Sequence, residues 1–232
     1  MNREFTCDLV IARYKENLDW LQRYKDYPFR NVIIYNKHEP YIGSSLNAIQ
    51  INLKNEGRCD HTYLYHIIKN YDNLADVTVF TKGSSDMYKE SKKLKFTIDK
   101  VFETRNTIMS NDTLTQPIHI HAADFTLDQY MSAHPSNYDG NIEVKPASIR
   151  PFRKWYEHYF PGFSTTKVVY RGVFSVSREH IHQRSKLYYE ILIKELEGHP
   201  NPEAGHYFER SWTAIFHPIP ESCFHDGICI FP

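Results

Sequence analysis

The stretch GHYFERSWTAIF, Gly205 to Phe216, sets a carboxylate among aromatic rings. On a helix of about 3.6 residues per turn, Phe208, Trp212, Ile215 and Phe216 share one stripe, the face that a helix buries. Glu209 stands at the edge of that stripe, and Arg210 points away from it. A carboxylate lodged beside aromatics is one candidate for a base that takes a proton from a hydroxyl. The alternative is structural: Glu209 pairs with Arg150 or Arg153 and tethers the helix to the body, while Trp212 is core. The residues alone leave both readings open.

Other chemistry is thinner. In HIHAAD, His119 and His121 on a strand would share a face and, with Asp124 as a third ligand, could hold zinc or iron for a metal hydrolase. No H-E-x-x-H or Cys/His spacing supports that, and alternating polar residues also suit a half-exposed strand. No G-x-S-x-G elbow occurs, and no phosphate-binding G-x-x-x-x-G-K-[ST] or G-x-G-x-x-G is found among the nine glycines. A nucleotide would have to be held by side chains and isolated amides.

These groups need a scaffold. CDLVIARY and NVIIYNK are continuous apolar runs, separated by KENLDWLQRYKDYP, whose Leu18, Leu21 and Tyr24 suit a helix. That is a β-α-β unit, and runs buried on both faces belong to parallel strands covered by helices. Ligands of such sheets bind at the carboxyl ends of the strands, which here carry Arg13, Tyr14, Lys15 and Glu16, then Asn36 and Lys37. Further on, Asp60 is expected to cap a helix with a Leu64, Ile67, Ile68 and Tyr71 stripe, and DVTVF reads as a third buried strand opening into TKGSSD. Between 87 and 150 the pattern weakens to a lysine-rich segment, PIHIHAADF as a short strand, and a loop from Ser132 to Asn141. The last third recovers, with aromatic RPFRKWYEHYFPG, strand-like KVVYRGVFSVS, and one long helix capped by Ser177 and closed by Gly198.

The 232 residues include 28 basic and 28 acidic side chains, so no broad attraction to nucleic acid or anionic lipid is expected. Cys7, Cys59, Cys223 and Cys229 contain no C-x-x-C pair and read as reduced thiols. The first twenty residues are too charged for a signal peptide or a membrane span, and the expectation is a soluble cytoplasmic protein.

VIARYKENLDWL, VIIYNK, GRCDHTYLYHIIKNYDNLADVTVF, RGVFSVSREHI and GHYFERSWTAIF, in this order, resemble a family of small fungal and giant-virus proteins catalogued as a domain of unknown function. That family resembles, more distantly, glycosyltransferases of the GT-A fold. The resemblance implies an α/β fold: a single GT-A-like domain over 1–232 with a mixed, mostly parallel sheet flanked by helices. Its N-terminal part, 1–86, would bind the nucleotide and its C-terminal part, 147–232, would serve the acceptor and catalysis.

Carried over by position, the resemblance puts Ala12, Arg13, Tyr14 and Glu16 around the nucleoside of a sugar donor, Asn36 and Lys37 near the base, and Arg58 at the diphosphate. It implies transfer from a nucleotide-diphosphate sugar, a UDP-sugar first, to a glycan or protein acceptor. Glu209 would be the base and Trp212 an acceptor-stacking ring. It also implies an Asp-x-Asp pair holding manganese or magnesium, because hard cations want oxygen ligands. VFTKGSSDMY offers the single Asp86 instead. Either Asp86 acts with a distant ligand such as Asp124 or His217, or a cation such as Lys82 replaces the metal, or turnover is lost and the domain is a nucleotide- or glycan-binding module.

Overall fold

The computed structural model describes residues 4–43, 47–137 and 142–226. The two apolar runs become β1 (Cys7–Arg13) and β2 (Asn31–Asn36), joined through a 3-10 turn over Asp19–Tyr24 rather than an α-helix. Then follow β3 (Ile49–Asn52), α1 (Arg58–Asn70), β4 (Val77–Lys82), α2 (Tyr88–Thr104), β5 (Met109–Thr113) and α3 (Ile118–His121). After these come β6 (Gln129–Tyr130), β7 (Ile142–Glu143), α4 (Phe152–Tyr159), β8 (Lys167–Val168) and β9 (Phe174–Ser177). The chain continues through α5 (Arg178–His182), α6 (Lys186–Ile193), α7 (Glu203–Glu209), α8 (Trp212–Ile215) and β10 (Phe224–Asp226).

The main sheet runs β3-β2-β1-β4-β9, parallel throughout except for the antiparallel edge strand β9. Alternation along its strands sorts two cores. Val10, Ala12, Ile33, Tyr35 and Phe80 face the layer containing α1, α6 and α7, while Leu9, Ile11, Val32, Ile34, Val77 and Val79 face α2. Burial on both faces is why these strands read as unbroken apolar runs. The architecture is therefore mixed α/β, a mostly parallel five-stranded sheet flanked by helices.

Several local expectations are corrected. The N-cap of α1 is Gly57 at φ 61, so Asp60 is not the cap; it lies in the first turn, 2% exposed, on the buried side. PIHIHAADF holds the helical turn α3 instead of a strand, which turns His119 and His121 to different faces. The single long helix after Ser177 is two: Ser177 accepts from the His180 amide and caps α5, and Ser185 accepts from the Tyr188 amide and caps α6. GHYFERSWTAIF is also broken, because α7 ends at Glu209 and α8 begins at Trp212. The lysine-rich segment is the helix α2, anchored by Leu94, Ile98 and Val101, and β3 is an edge strand the apolar pattern did not announce. Cys7, Cys59 and Cys223 are free thiols, and Cys229 lies outside the described residues.

Candidate functional site

The parallel register aligns Arg13 with Asn36 across β1 and β2, and Ala12 with Lys82 across β1 and β4. The chain steps from β1 out to β2 and β3 on one side and then crosses to β4 on the other. A crevice opens where two such connections diverge. A cleft of about 340 Å³ lies there, walled by Ala12, Arg13, Tyr14 and Glu16 at the end of β1, Lys37 after β2, Arg58 and Cys59 at the head of α1, and Lys82 and Ser84 at the end of β4. Tyr130, Ser132, Asn137 and Asn201 close its far side. Of the residues expected at a nucleotide, the structure thus brings Ala12, Arg13, Tyr14, Glu16, Lys37 and Arg58 to one cavity.

Each of these side chains has a traceable anchor. Arg13 donates from Nε to the Glu16 carbonyl at 2.8 Å and from Nη1 to Asn36 Oδ1 at 3.0 Å and the Glu39 carbonyl at 2.7 Å. Asn36 stands behind Arg13 rather than in the cavity wall, and its amide nitrogen donates to Gln50 Oε1 at 3.0 Å. Glu16 accepts the Tyr14 amide at 2.7 Å on Oε2 and the Asn137 side chain at 2.6 Å on Oε1. Gly83 is what lets Glu16 sit there, since a Cβ at 83 would fall 2.6 Å from Glu16 Oε2. Lys37 donates its ammonium to the carbonyls of Glu56 and Arg58, and burial lowers its pKa to about 8.

Arg58 is held from several sides. Its backbone is left-handed at φ 54, directly after left-handed Gly57, a conformation that costs a non-glycine residue about 1 kcal/mol or more. Nη1 reaches Asn201 Oδ1 at 3.1 Å and His206 Nε2 at 3.0 Å, and the guanidinium carbon lies 4.1 Å from the centre of the Tyr130 ring. Burial and then the Arg58 charge push His206 down to about 2, so it stays neutral and accepts that bond. Behind Arg58, burial and the charge of Glu209 raise Asp60 to about 7, and burial raises the Cys59 thiol to about 12.

Trp212 has no exposed surface; its ring packs parallel to Phe216 at 5.6 Å and its Nε1 donates to Asp60 Oδ1 at 3.1 Å. It sits in the core and offers no ring face to a sugar. Glu209, half-buried, accepts the Arg171 amide on Oε1 at 2.8 Å and is not in the cavity wall. The tether partners expected for it are engaged elsewhere: Arg150 Nε is 2.9 Å from Glu203 and Arg153 Nε is 2.8 Å from Glu157.

The metal expectations can be held against the donor set. Asp86 Oδ1 lies 3.1 Å from His134 Nε2, and among the described residues no three His, Cys, Asp or Glu side chains converge as a metal group. The grouping of His119, His121 and Asp124 is not formed, and His119 instead stacks on Tyr156 at 5.3 Å. The described residues therefore do not fit a protein-held divalent cation, and no step is derived through one.

Tyr130, Asn137, Asn201 and His206 were not anticipated. Tyr130, Asn137 and Asn201 lie in segments without hydrophobic period, and His206 is a polar position inside GHYFERSWTAIF; all join the cleft through contacts distant in sequence, as in Asn137 to Glu16 over 121 positions and Arg58 to His206 over 148. Lys82, named from the sequence as a cation that could replace the metal, ends β4 and lies in the cleft wall.

Fold and cleft together define an α/β protein with a basic crevice at the carboxyl edge of a mostly parallel sheet. Residues 9–231 match the family described as a protein of unknown function, DUF3431, and the chain belongs to that family. No curated protein matches it significantly. Among solved structures, a similar chain is described as CMP:2-keto-3-deoxy-manno-octonic acid synthetase complexed with CTP. The identity is 12% over 77% of this chain and 76% of that one, with a TM-score of 0.36, and likeness of that size carries no argument about substrate. Among the described residues no helix is long and apolar enough to cross a membrane.

Proposed function

We propose that the chain binds a nucleotide-diphosphate sugar in the cleft, a UDP-sugar first, and transfers the sugar to a hydroxyl of a glycan or protein acceptor. One observation supports this most directly. The cavity at the switch point of the sheet is lined by Arg13, Lys37, Arg58 and Lys82 against the single acid Glu16 among the described residues. In this reading the part over 1–86 holds the donor, with the loop after β1 and Lys37 toward the nucleoside and Arg58 toward the diphosphate. The part over 147–232 serves the acceptor.

Transfer breaks the bond between the sugar's anomeric carbon and the diphosphate oxygen and forms a bond from that carbon to the acceptor oxygen. The acceptor proton passes to a base, and the charge left on the diphosphate must be neutralised. Glu209 is the proposed base, with Oε2 as the proton acceptor because Oε1 already holds the Arg171 amide. Calorimetric titration with UDP and UDP-sugars, with and without manganese, tests the reading. Saturable binding is expected, and no binding under either condition overturns it.

A second reading, a nucleotide- or glycan-recognition module without turnover, is favoured by the engagement of Glu209 with Arg171 outside the cavity wall. Binding without transfer or hydrolysis in a donor screen selects the module. Turnover that vanishes in Glu209→Gln selects the enzyme.

A further inference from the structure

GT-A resemblance implies a divalent cation on the diphosphate, and the donor set disagrees. We infer that Arg58 and Lys82 form a fixed diphosphate clamp that takes the place of the cation, so that the donor binds without metal. This rests on the nucleotide-diphosphate reading above.

The acid side of the cleft is already used. Glu16 is the one carboxylate among the described residues of the cavity wall, and both its oxygens accept hydrogen bonds, from the Tyr14 amide and from Asn137. Asp86, at the position where the pair would stand, faces His134. A hard cation shared with a diphosphate needs one or two protein carboxylates, and the one in the wall already accepts on both oxygens.

The basic side is arranged the opposite way. Arg58 is held by neutral groups from three segments, Asn201, His206 and the ring of Tyr130, and among the described residues no carboxylate lies within ion-pair distance of it. Its orientation is set in advance; Glu209 and Asp60 act on its charge from a distance without pairing with it, so the direct contact stays open to a phosphate, which is what preorganised recognition requires. Gly205 belongs to the same device: a Cβ there would stand 3.0 Å from Arg58 Cδ and crowd the side chain.

Lys82, at the end of β4, lies 3.3 Å from Glu90 Oε1, and the same oxygen lies 3.6 Å from Arg171 Nη1. One carboxylate is divided between two cations, so this corner keeps a positive surplus. Arg58 and the Lys82 corner are on the one cavity wall, and together they match the charge of a diphosphate leaving group.

Titration calorimetry with UDP decides the matter, run in EDTA and then with millimolar manganese, with uridine as the probe lacking phosphate. The expected result is UDP binding in EDTA that changes by less than about threefold on adding manganese. Arg58→Met and Lys82→Met should each weaken UDP by roughly tenfold, the loss expected for one charge-assisted contact, and leave uridine nearly unchanged. Thermal unfolding checks that each variant folds; if Arg58→Met does not, Lys82→Met and the metal comparison on the unaltered chain still decide. Binding that appears only with manganese overturns the clamp and leaves the nucleotide reading standing. UDP affinity unchanged in both variants also overturns it, and no UDP binding under any condition removes the reading beneath it as well.

Discussion

Glu209 Oε1 accepts the backbone amide of Arg171 at 2.8 Å, and Arg171 is a non-glycine residue held at φ 75. A side chain at the end of α7 thus secures a left-handed turn just before β9, and the same carboxylate adds to burial in raising the pKa of Asp60 behind the cleft. Structure and chemistry meet on one residue, and the two can be separated.

Glu209→Ala leaves the Arg171 amide without its acceptor and should lower stability by about 1–3 kcal/mol in urea unfolding. Glu209→Gln keeps an oxygen for that amide, so its stability should stay within about 1 kcal/mol of the unaltered chain. If Glu209 is the base, Glu209→Gln abolishes transfer while UDP still binds. Equal stability of the two variants would remove the tether.

Gly205→Ala should separate binding from stability. Alanine exceeds glycine in helix propensity by about 1 kcal/mol, which offsets some of the crowding in α7. The new methyl group falls 3.0 Å from Arg58 Cδ, so the side chain must shift by a few tenths of an ångström, which is expected to strain its bonds to Asn201 and His206. UDP affinity is expected to fall several-fold with little change in melting temperature. Unchanged affinity would show that Arg58 tolerates displacement.

Trp212→Phe retains most of the ring packing but withdraws the donor from Asp60 Oδ1. A buried acceptor that loses its partner costs about 1–3 kcal/mol, which denaturant midpoints at constant slope will read. Donor binding should survive at conditions where the variant is folded.

Stability should fall as pH drops from 6.5 toward 4. His61 and His66 are held down to about 4, and His206 to about 2, chiefly by burial, so these rings gain protons in the unfolded chain first. Their contribution is present above the unfolded value of 6.5 and is lost on acidification. Asp60 opposes them: raised to about 7 from 3.8, it takes up a proton in the folded state first across that window. Asp60→Asn removes the opposing uptake, so the variant should lose stability more steeply on acidification than the unaltered chain. Urea midpoints measured across this range check the sign, and parallel curves would refute it.

How much was legible varies with the kind of signal. Strands β1, β2 and β4 declared themselves because burial on both faces makes an unbroken apolar run. The ends of β1 and β2 then located Arg13, Tyr14, Glu16 and Lys37 without any knowledge of the rest. Helix breaks did not declare themselves. The apolar period carries across Gln183 to Ser185 because α5 and α6 pack on the same core, and only the cap made by Ser185 marks the stop. α2 was obscured in the opposite sense, by its lysines, of which Lys92 and Lys95 are exposed and Lys93 is buried against the Tyr170 carbonyl.

The sequence by itself determined the alternation of parallel strands and helices, and with it the edge of the sheet where the cleft opens, because both follow from local period and strand direction. It also placed Glu209 on the border of a buried face. Only the tertiary structure decided that Asp60 turns inward to Trp212, that Glu209 meets Arg171, and that Asn201, His206 and Tyr130 fix Arg58. Those contacts join segments far apart in the chain, and no local pattern encodes which distant polar side chain a buried charge will find.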